Sequence, residues 1–315
     1  MFSNSISKKI IIIGGPTACG KSDLAIKIAG TLSGEIDSVI INADSMQVYK
    51  EIPIITAQPD ADDLKKCEHK LYGFIGVEDE FSVDIWLQNV TREIDAALGN
   101  GKLPIIVGGT GMYIKSLMHG IADIPDIEND IRNEGRELIK KIGNDAFHDL
   151  LNDIDPVMAD RIISSDSQRM VRAWEVQKQT GVSLSDWQKN KNKTFYNHDE
   201  FIGFFLNTPR DVLYENCNSR FLKMLDNNVM DEIKYLENNN VDPKLTSMKS
   251  LGVSELRSYY RDEITLDSAI EMAQQSTRRY AKRQVTWFKN QLPELNILNH
   301  ANEIDIMDYI KLITI

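Results

Sequence analysis

Gly15-Pro16-Thr17-Ala18-Cys19-Gly20-Lys21-Ser22 reads G-x-x-x-x-G-K-[ST], and its flanks decide the fold. Ahead of it runs Ile10-Ile11-Ile12-Ile13, an apolar and wholly β-branched stretch that predicts a buried strand. Behind it Leu24, Ala25, Ile28 and Leu32 recur at helical spacing. A motif between a strand and a helix start has the context of a P-loop. Glycines let successive backbone N–H groups curl around one anion, and the helix N-terminus adds positive potential. Lys21 adds a full charge, and the Ser22 hydroxyl can ligate Mg²⁺. A P-loop specifies a polyphosphate and leaves open which one.

Working outward, Val39-Ile40-Ile41-Asn42-Ala43 predicts a second buried strand ending in Asp44-Ser45-Met46-Gln47-Val48-Tyr49. A carboxylate at the end of a strand beside a P-loop lies where open α/β sheets bind ligands, although a turn or capping Asp has the same local signature. Residues 52–59 are irregular, with two prolines, and His69 beside an apolar stretch reads as structural. Residues 82–98 carry a helical pattern, and Leu103-Pro104-Ile105-Ile106-Val107 a third strand that opens into Gly108-Gly109-Thr110-Gly111-Met112-Tyr113 and a helix to about Met118. Alternating strands and helices predict an α/β fold, a P-loop-type parallel sheet wound with helices. From 117 to 198 strand signals fade. Helical patterns over 131–142, 146–151, 156–163 and 167–180, with Arg132, Arg136, Arg161, Arg169 and Arg172 among them, predict a mostly helical insertion domain. Residues 1–116 and 199–315 then form the core, with a strand at 201–206, a long helical pattern over 211–236 containing Arg220, and another over 266–292. On the last, Arg278/Lys282 and Arg279/Arg283 are like-charged i,i+4 pairs, which favour a counter-anion or pairing with the chain's acids.

Composition narrows the classes. A chain of 315 residues that is 42% hydrophobic suits a globular protein of about two domains. Cys19, Cys67 and Cys217 are widely spaced and form no C-x-x-C pair, which argues against a zinc site or disulfide framework and fits a reducing cytoplasm. No stretch reads as a signal peptide or a membrane span. The net charge of −11 argues against general nucleic-acid binding, so local basic patches must decide.

The ordered set Gly15 to Ser22, Asp44-Ser45-x-Gln47-x-Tyr49 and Gly108-Gly109-Thr110-Gly111-Met112-Tyr113 resembles the tRNA dimethylallyltransferases. The resemblance continues through Asp155-Pro156, Gln168-Arg169-x-x-Arg172-Ala173-x-Glu175-Val176, Gly181 with Ser183, and Arg220-Phe221-x-x-Met224-Leu225, to Arg278, Tyr280-Ala281-Lys282-Arg283-Gln284 and Thr286-Trp287. It covers nearly the whole chain. The P-loop alone is common to many NTPases, whereas the ordered set is specific. The resemblance implies transfer of a dimethylallyl group from dimethylallyl diphosphate to the exocyclic amine of the adenosine 3′ to the tRNA anticodon, with Mg²⁺. It implies Asp44 as general base, Lys21, Ser22 and Arg220 on the diphosphate, and Ser22 on the metal. Asp44, Ser45, Met46 and Gln47, Thr110, Arg132, and Gln168, Arg169, Met170, Val171 and Arg172 would meet the anticodon stem-loop. Arg279, Lys282 and Arg283 join them as the basic patch. The enzyme is expected to be monomeric, cytoplasmic and of bacterial type, without a membrane partner.

Two segments depart from the family pattern. Ile55-Thr56-Ala57-Gln58-Pro59 stands where Gly-Thr-Ala-Lys-Pro is usual, which removes a flexible residue and a charge, and Gly252-Val253 stands where Gly-Tyr is common. Three rival readings share parts of the pattern. A nucleotide kinase would use the P-loop and Asp44 but gives no role to Gln168-Arg169-x-x-Arg172 or the basic helix. An adenylate isopentenyltransferase performs the same chemistry on a free nucleotide and needs no insertion. A non-catalytic RNA-binding P-loop protein has no need of an intact Lys21, Ser22, Asp44 and Arg220.

Overall fold

A computed structural model describes residues 9–189 and 194–299. The expected ranges 1–116, 117–198 and 199–315 extend into 1–8, 190–193 and 300–315, which lie outside the described residues. In chain order the elements are β1 (Ile10–Gly14), α1 (Lys21–Leu32), β2 (Ser38–Asn42), α2 (Ala61–Lys66), β3 (Glu68–Lys70), α3 (Val83–Gly99), β4 (Leu103–Gly108) and α4 (Gly111–His119). Then come α5 (Asn129–Ile142), α6 (Asn144–Ile154), α7 (Pro156–Arg161), α8 (Ser167–Thr180) and α9 (Leu184–Lys189). Last are β5 (Phe201–Leu206), α10 (Arg210–Asp226), α11 (Val229–Asn238), α12 (Val253–Tyr260), α13 (Leu266–Gln291) and β6 (Asn296–Leu298). The chain divides into two compact units, His119–Phe195 and the remainder.

The larger unit holds a six-stranded sheet in the order β3-β2-β4-β1-β5-β6, with every neighbouring pair parallel. β1, β2 and β4 are buried along their whole length. That is why they read as unbroken apolar runs, since a parallel sheet covered on both faces has no polar side to alternate with. Leu24, Ala25, Ile28 and Leu32 of α1 pack on Ile11, Ile13, Ile40, Ile105 and Val107. A second cluster joins Val48, Tyr49, Ile52 and Ile55 to Phe221 and Met224 of α10, Ile233 and Leu236 of α11 and Leu256 of α12. Because β2, β4 and β1 are neighbours, the loops at their carboxyl ends lie side by side. They carry Asp44, the Gly108–Gly111 turn and the P-loop.

Elsewhere the structure corrects the sequence reading. The helical pattern over 211–236 is two helices, broken where Asn228 takes the left-handed conformation at φ 63°. Asn tolerates this better than most residues. The edge strands β3 and β6 were not foreseen, each being three residues long and neither fully buried. His69 sits on β3, half-buried, with Nδ1 2.8 Å from the Cys67 carbonyl oxygen, and burial pushes its imidazole pKa down.

The smaller unit is helical. Phe147, Leu151, Met158, Met170, Val171, Trp174 and Leu184 form its core. Asp155 caps α7 and also accepts from Ser183 Oγ through both carboxylate oxygens, at 2.9 and 2.8 Å, which ties the start of α7 to the turn before α9.

Candidate active site

The P-loop leaves β1 and enters α1 through Ala18 at φ 63° and Gly20 at φ 87°. No side chain caps the first turn of α1, so its N–H groups face the loop's concavity, the arrangement that binds anions. Lys21 Nζ donates to the Pro16 carbonyl oxygen at 3.3 Å, which folds the ammonium back over the loop, and Ser22 is exposed on the first turn. Cys19 is a wall residue: it is buried in the sheet–helix core, and burial pushes its thiol pKa up.

Asp44 is fixed by its neighbours. Its N–H donates to Asn42 Oδ1 at 2.8 Å, and its Oδ1 accepts from the Met46 N–H at 3.0 Å. Asn42 is itself fully buried and donates to the carbonyls of Asp44 and Leu71 at 2.9 and 3.0 Å. The adjoining turn is locked in the same way. The Ser45 N–H donates to Thr110 Oγ1 at 2.9 Å, and Thr110 N–H to the Ala43 carbonyl at 3.1 Å. Gly108 has no alternative here, because a Cβ would lie 2.0 Å from the Ala43 oxygen. Gln47 turns away from the strand ends and braces the 52–58 segment, donating to the carbonyls of Thr56 and Ala57 at 3.0 and 2.6 Å.

A cavity of about 260 Å³ opens between these loops and helices α10 and α13. Thr17, Asp44 and Arg220 supply its polar side, and Met46, Ile55, Phe221, Met224 and Leu251 its apolar side. Arg220 donates through Nη2 to Thr17 Oγ1 and makes no ion pair among the described residues. Burial pulls its guanidinium pKa down, against the pull of the Asp44 charge. A cation partly withdrawn from water beside a P-loop and without an acid partner has the character of an anion site.

A second cavity, of about 270 Å³, lies over Gly109, Thr110 and Gly111 and is walled by Tyr280, Arg283, Gln284, Trp287 and Phe288. Tyr280 and Arg283 line both cavities, and the Arg283 guanidinium lies 5.5 Å from the Tyr280 ring centre. Burial, then the Asp44 charge, pushes the Tyr280 phenol pKa up. The buried Gln284 joins the two loops, accepting from the Thr17 N–H at 2.8 Å and donating to the Gly109 carbonyl at 2.8 Å. Gln284, Tyr280 and Lys249, which also lines the first cavity, are site residues that the sequence reading did not assign. The signal for two of them lay on the face of α13 opposite its exposed cations.

Arg279 and Lys282 are exposed on α13, and their side chains make no ion pair or hydrogen bond among the described residues. Arg278 differs: its Nη1 donates to Asn218 Oδ1 at 2.6 Å and braces α10 against α13. In the helical unit, Gln168 and Arg169 are exposed at the start of α8, with Arg169 Nε 3.4 Å from Asp166. Arg172 approaches the buried Glu175 at 3.8 Å; burial pushes that carboxyl pKa up, while Arg172, Arg132 and Arg136 pull it down. Arg132 is half-buried on α5, with Nε unpartnered. The side chains of Met170 and Val171, within the segment expected on the RNA path, are 0% and 8% exposed and form part of this unit's core, because on α8 they share a face with Trp174. Among the described residues no group of three or more His, Cys, Asp or Glu is placed to hold a metal ion, and no helix is long and apolar enough to cross a membrane.

The sequence profile described as IPP transferase matches residues 47–291, which takes in the helical unit, the lining of the second cavity and that of the first apart from Thr17, Asp44 and Met46. The tRNA dimethylallyltransferases of Ehrlichia canis (strain Jake) and Wolbachia pipientis wMel are 43% and 42% identical over 96% of this chain and over 98% and 99% of their own. The chain belongs to the tRNA dimethylallyltransferase family. It is a prenyltransferase by that membership, and its α/β architecture recurs in solved relatives. The tRNA isopentenylpyrophosphate transferase of Bacillus halodurans is 31% identical with a TM-score of 0.67, covering 98% of this chain and 94% of that one. A eukaryotic dimethylallyltransferase captured acting on tRNA is 26% identical with a TM-score of 0.79, covering 94% and 75%. The profile begins at Gln47, downstream of the P-loop and Asp44.

Proposed function

We infer that this dimethylallyltransferase moves a dimethylallyl group from dimethylallyl diphosphate to the exocyclic amine of the adenosine 3′ to the tRNA anticodon. The observation that carries the reading is a single cavity with Thr17 and Arg220 beside the P-loop, Asp44 at the strand end and an apolar wall between α10 and the 52–58 segment. An aryl amine is a weak nucleophile, so the leaving diphosphate must take up charge as its C1–O bond breaks. Fixed donors where charge develops are the strongest aid to such a step; here these are the loop N–H groups, Lys21 and Arg220. As the N–C1 bond forms, Asp44 takes the amine proton.

Mg²⁺ would be held by the Ser22 hydroxyl together with diphosphate oxygens, and it would neutralise charge on the leaving group. The donor set fits, since Mg²⁺ keeps waters and substrate phosphates rather than requiring an all-protein cage. An anticodon base must be splayed out to reach an enclosed amine, and the second cavity, with its aromatic walls, suits that base. The exposed cations of α13 suit RNA phosphates, and so, in their own unit, do the arginines of the helical unit. The protein is expected to act as a cytoplasmic monomer.

A kinase reading predicts ATP in the P-loop. Competition binding separates the two: dimethylallyl diphosphate should displace a labelled diphosphate analogue at lower concentration than ATP does. Tighter ATP binding with phosphate transfer to a nucleoside would overturn the transferase reading.

A further inference from the structure

We propose that Glu232 is a positioning residue for the prenyl donor, holding from behind the Ile55–Thr56 part of the cavity wall. This rests on the donor reading above. Ile55 and Thr56 line the first cavity, and Glu232 does not. It acts on them through the backbone.

Residues 52–58 curl into a tight turn. The Thr56 N–H donates to the Ile52 carbonyl at 3.3 Å, the Ala57 N–H to that of Ile54 at 3.0 Å and the Gln58 N–H to that of Pro53 at 2.9 Å. Pro53 has no N–H to place. The amides of Ile54 and Ile55 are then left in the position of the orphan donors at the start of a helix. Both go to Glu232 on α11: the Ile54 N–H donates to Oε1 at 2.5 Å and the Ile55 N–H to Oε2 at 2.9 Å. Glu232 is buried and makes no ion pair among the described residues. Burial pushes its carboxyl pKa up, against the pull of these two N–H groups. A buried carboxylate is costly unless hydrogen-bonded, so carboxylate and turn each satisfy the other.

The turn needs that support. Ala57 sits in the left-handed region at φ 55°, which a residue with a Cβ disfavours. Such a conformation persists where its surroundings over-determine it. Gln47 holds one end through the Thr56 and Ala57 carbonyls, at 3.0 and 2.6 Å, and Glu232 holds the other. Without Glu232 two amides must find new acceptors, and the wall that begins at Ile55 moves with them. Because the bonds run to the backbone, they do not depend on which side chain stands at 55.

The test is equilibrium binding of dimethylallyl diphosphate and of pyrophosphate, each by competition with a labelled diphosphate analogue, to the wild type, Glu232→Ala and Glu232→Gln. Pyrophosphate carries the charged end without the tail, so the ratio of the two dissociation constants reads the wall alone. Since single methylenes in apolar pockets are discriminated by roughly 10–200-fold, Glu232→Ala should raise the ratio of the dimethylallyl diphosphate constant to the pyrophosphate constant at least about tenfold. Glu232→Gln keeps one carbonyl acceptor and turns its NH₂ on the other N–H, so it should raise the ratio by less. Thermal unfolding checks that each variant is folded; if Glu232→Ala is not, Glu232→Gln decides, with a rise of a few-fold expected. A ratio unchanged in the folded variants, whether both constants rise together or neither does, would make Glu232 a stabiliser of the fold only and overturn the inference, leaving the transferase reading intact. A wild type that binds ATP more tightly than dimethylallyl diphosphate and phosphorylates a nucleoside would overturn that reading and this inference with it.

Discussion

Asp44 owes its position to Asn42, whose side chain bonds both the N–H and the carbonyl of Asp44 from a fully buried site. Because Asn42 and Thr110 hold the backbone on either side of it, and only the Met46 N–H bonds its carboxylate, Asp44→Ala should remove chemistry and little else. Single-turnover rates should fall by about 10²–10⁴, with tRNA affinity within a few-fold of the wild type. A near-normal single-turnover rate would make Asp44 structural. Gln284 behaves in the opposite way. Its loss leaves the Thr17 N–H and the Gly109 carbonyl without their partner, so Gln284→Ala should lower stability by about 1–3 kcal/mol and weaken diphosphate binding, readable by thermal unfolding and by titration with pyrophosphate. Asp44 was legible because a strand-end carboxylate has a local signature. Gln284 was not, because its partners lie 267 and 175 residues away and no local pattern records them. The burial of Met170 and Val171 was legible too: with Trp174 they repeat at helical spacing, which marks a core face, while Arg169 and Arg172 flank it.

Among the elements, α11 and α12 are joined by Glu237, which accepts from Arg257 Nε and, at 2.9 Å, from Arg261 Nε. Burial pushes the Glu237 carboxyl pKa up, but the two arginines outweigh it and hold it below its ordinary value. A carboxyl depressed in the folded state adds stability that is complete above its unfolded pKa and is lost as pH falls through the folded one. Glu237→Gln leaves the buried Arg257 without its anion, so at pH 7 it should cost about 3 kcal/mol. The gap from the wild type should narrow below about pH 4, as measured by denaturant unfolding across pH. On α13 the exposed Arg279 and Lys282 serve a different end. Neutralising both should weaken tRNA binding and flatten the salt dependence by up to about 1.4–1.8 in log–log slope, with little change in pyrophosphate affinity. An unchanged slope in a folded double variant would leave RNA binding to other cations. The break at Asn228 shows where periodicity misleads: apolar spacing continues across it while a left-handed residue redirects the chain.

At the scale of the whole molecule, what the sequence made legible was the sheet's centre. Its buried strands of five or six residues are apolar along their middles, and each ends in a turn with its own chemistry. The edges escaped because Glu68-His69-Lys70 and Asn296-Ile297-Leu298 are held by pairing with β2 and β5 rather than by any propensity of their own. The cavity walls escaped for a related reason, since they come from segments as distant as Thr17, Ile55, Arg220 and Tyr280 that only the fold brings together. The central claim is that this cavity carries prenyl transfer to tRNA. Its most direct test is to incubate the purified protein with dimethylallyl diphosphate, Mg²⁺ and unmodified tRNA, then digest the RNA and analyse it by mass spectrometry. The expected product is one adenosine, 3′ to the anticodon, carrying a dimethylallyl group, in a yield that falls when the metal is chelated. Unmodified adenosine throughout, from folded protein that phosphorylates a nucleoside when given ATP, would contradict it.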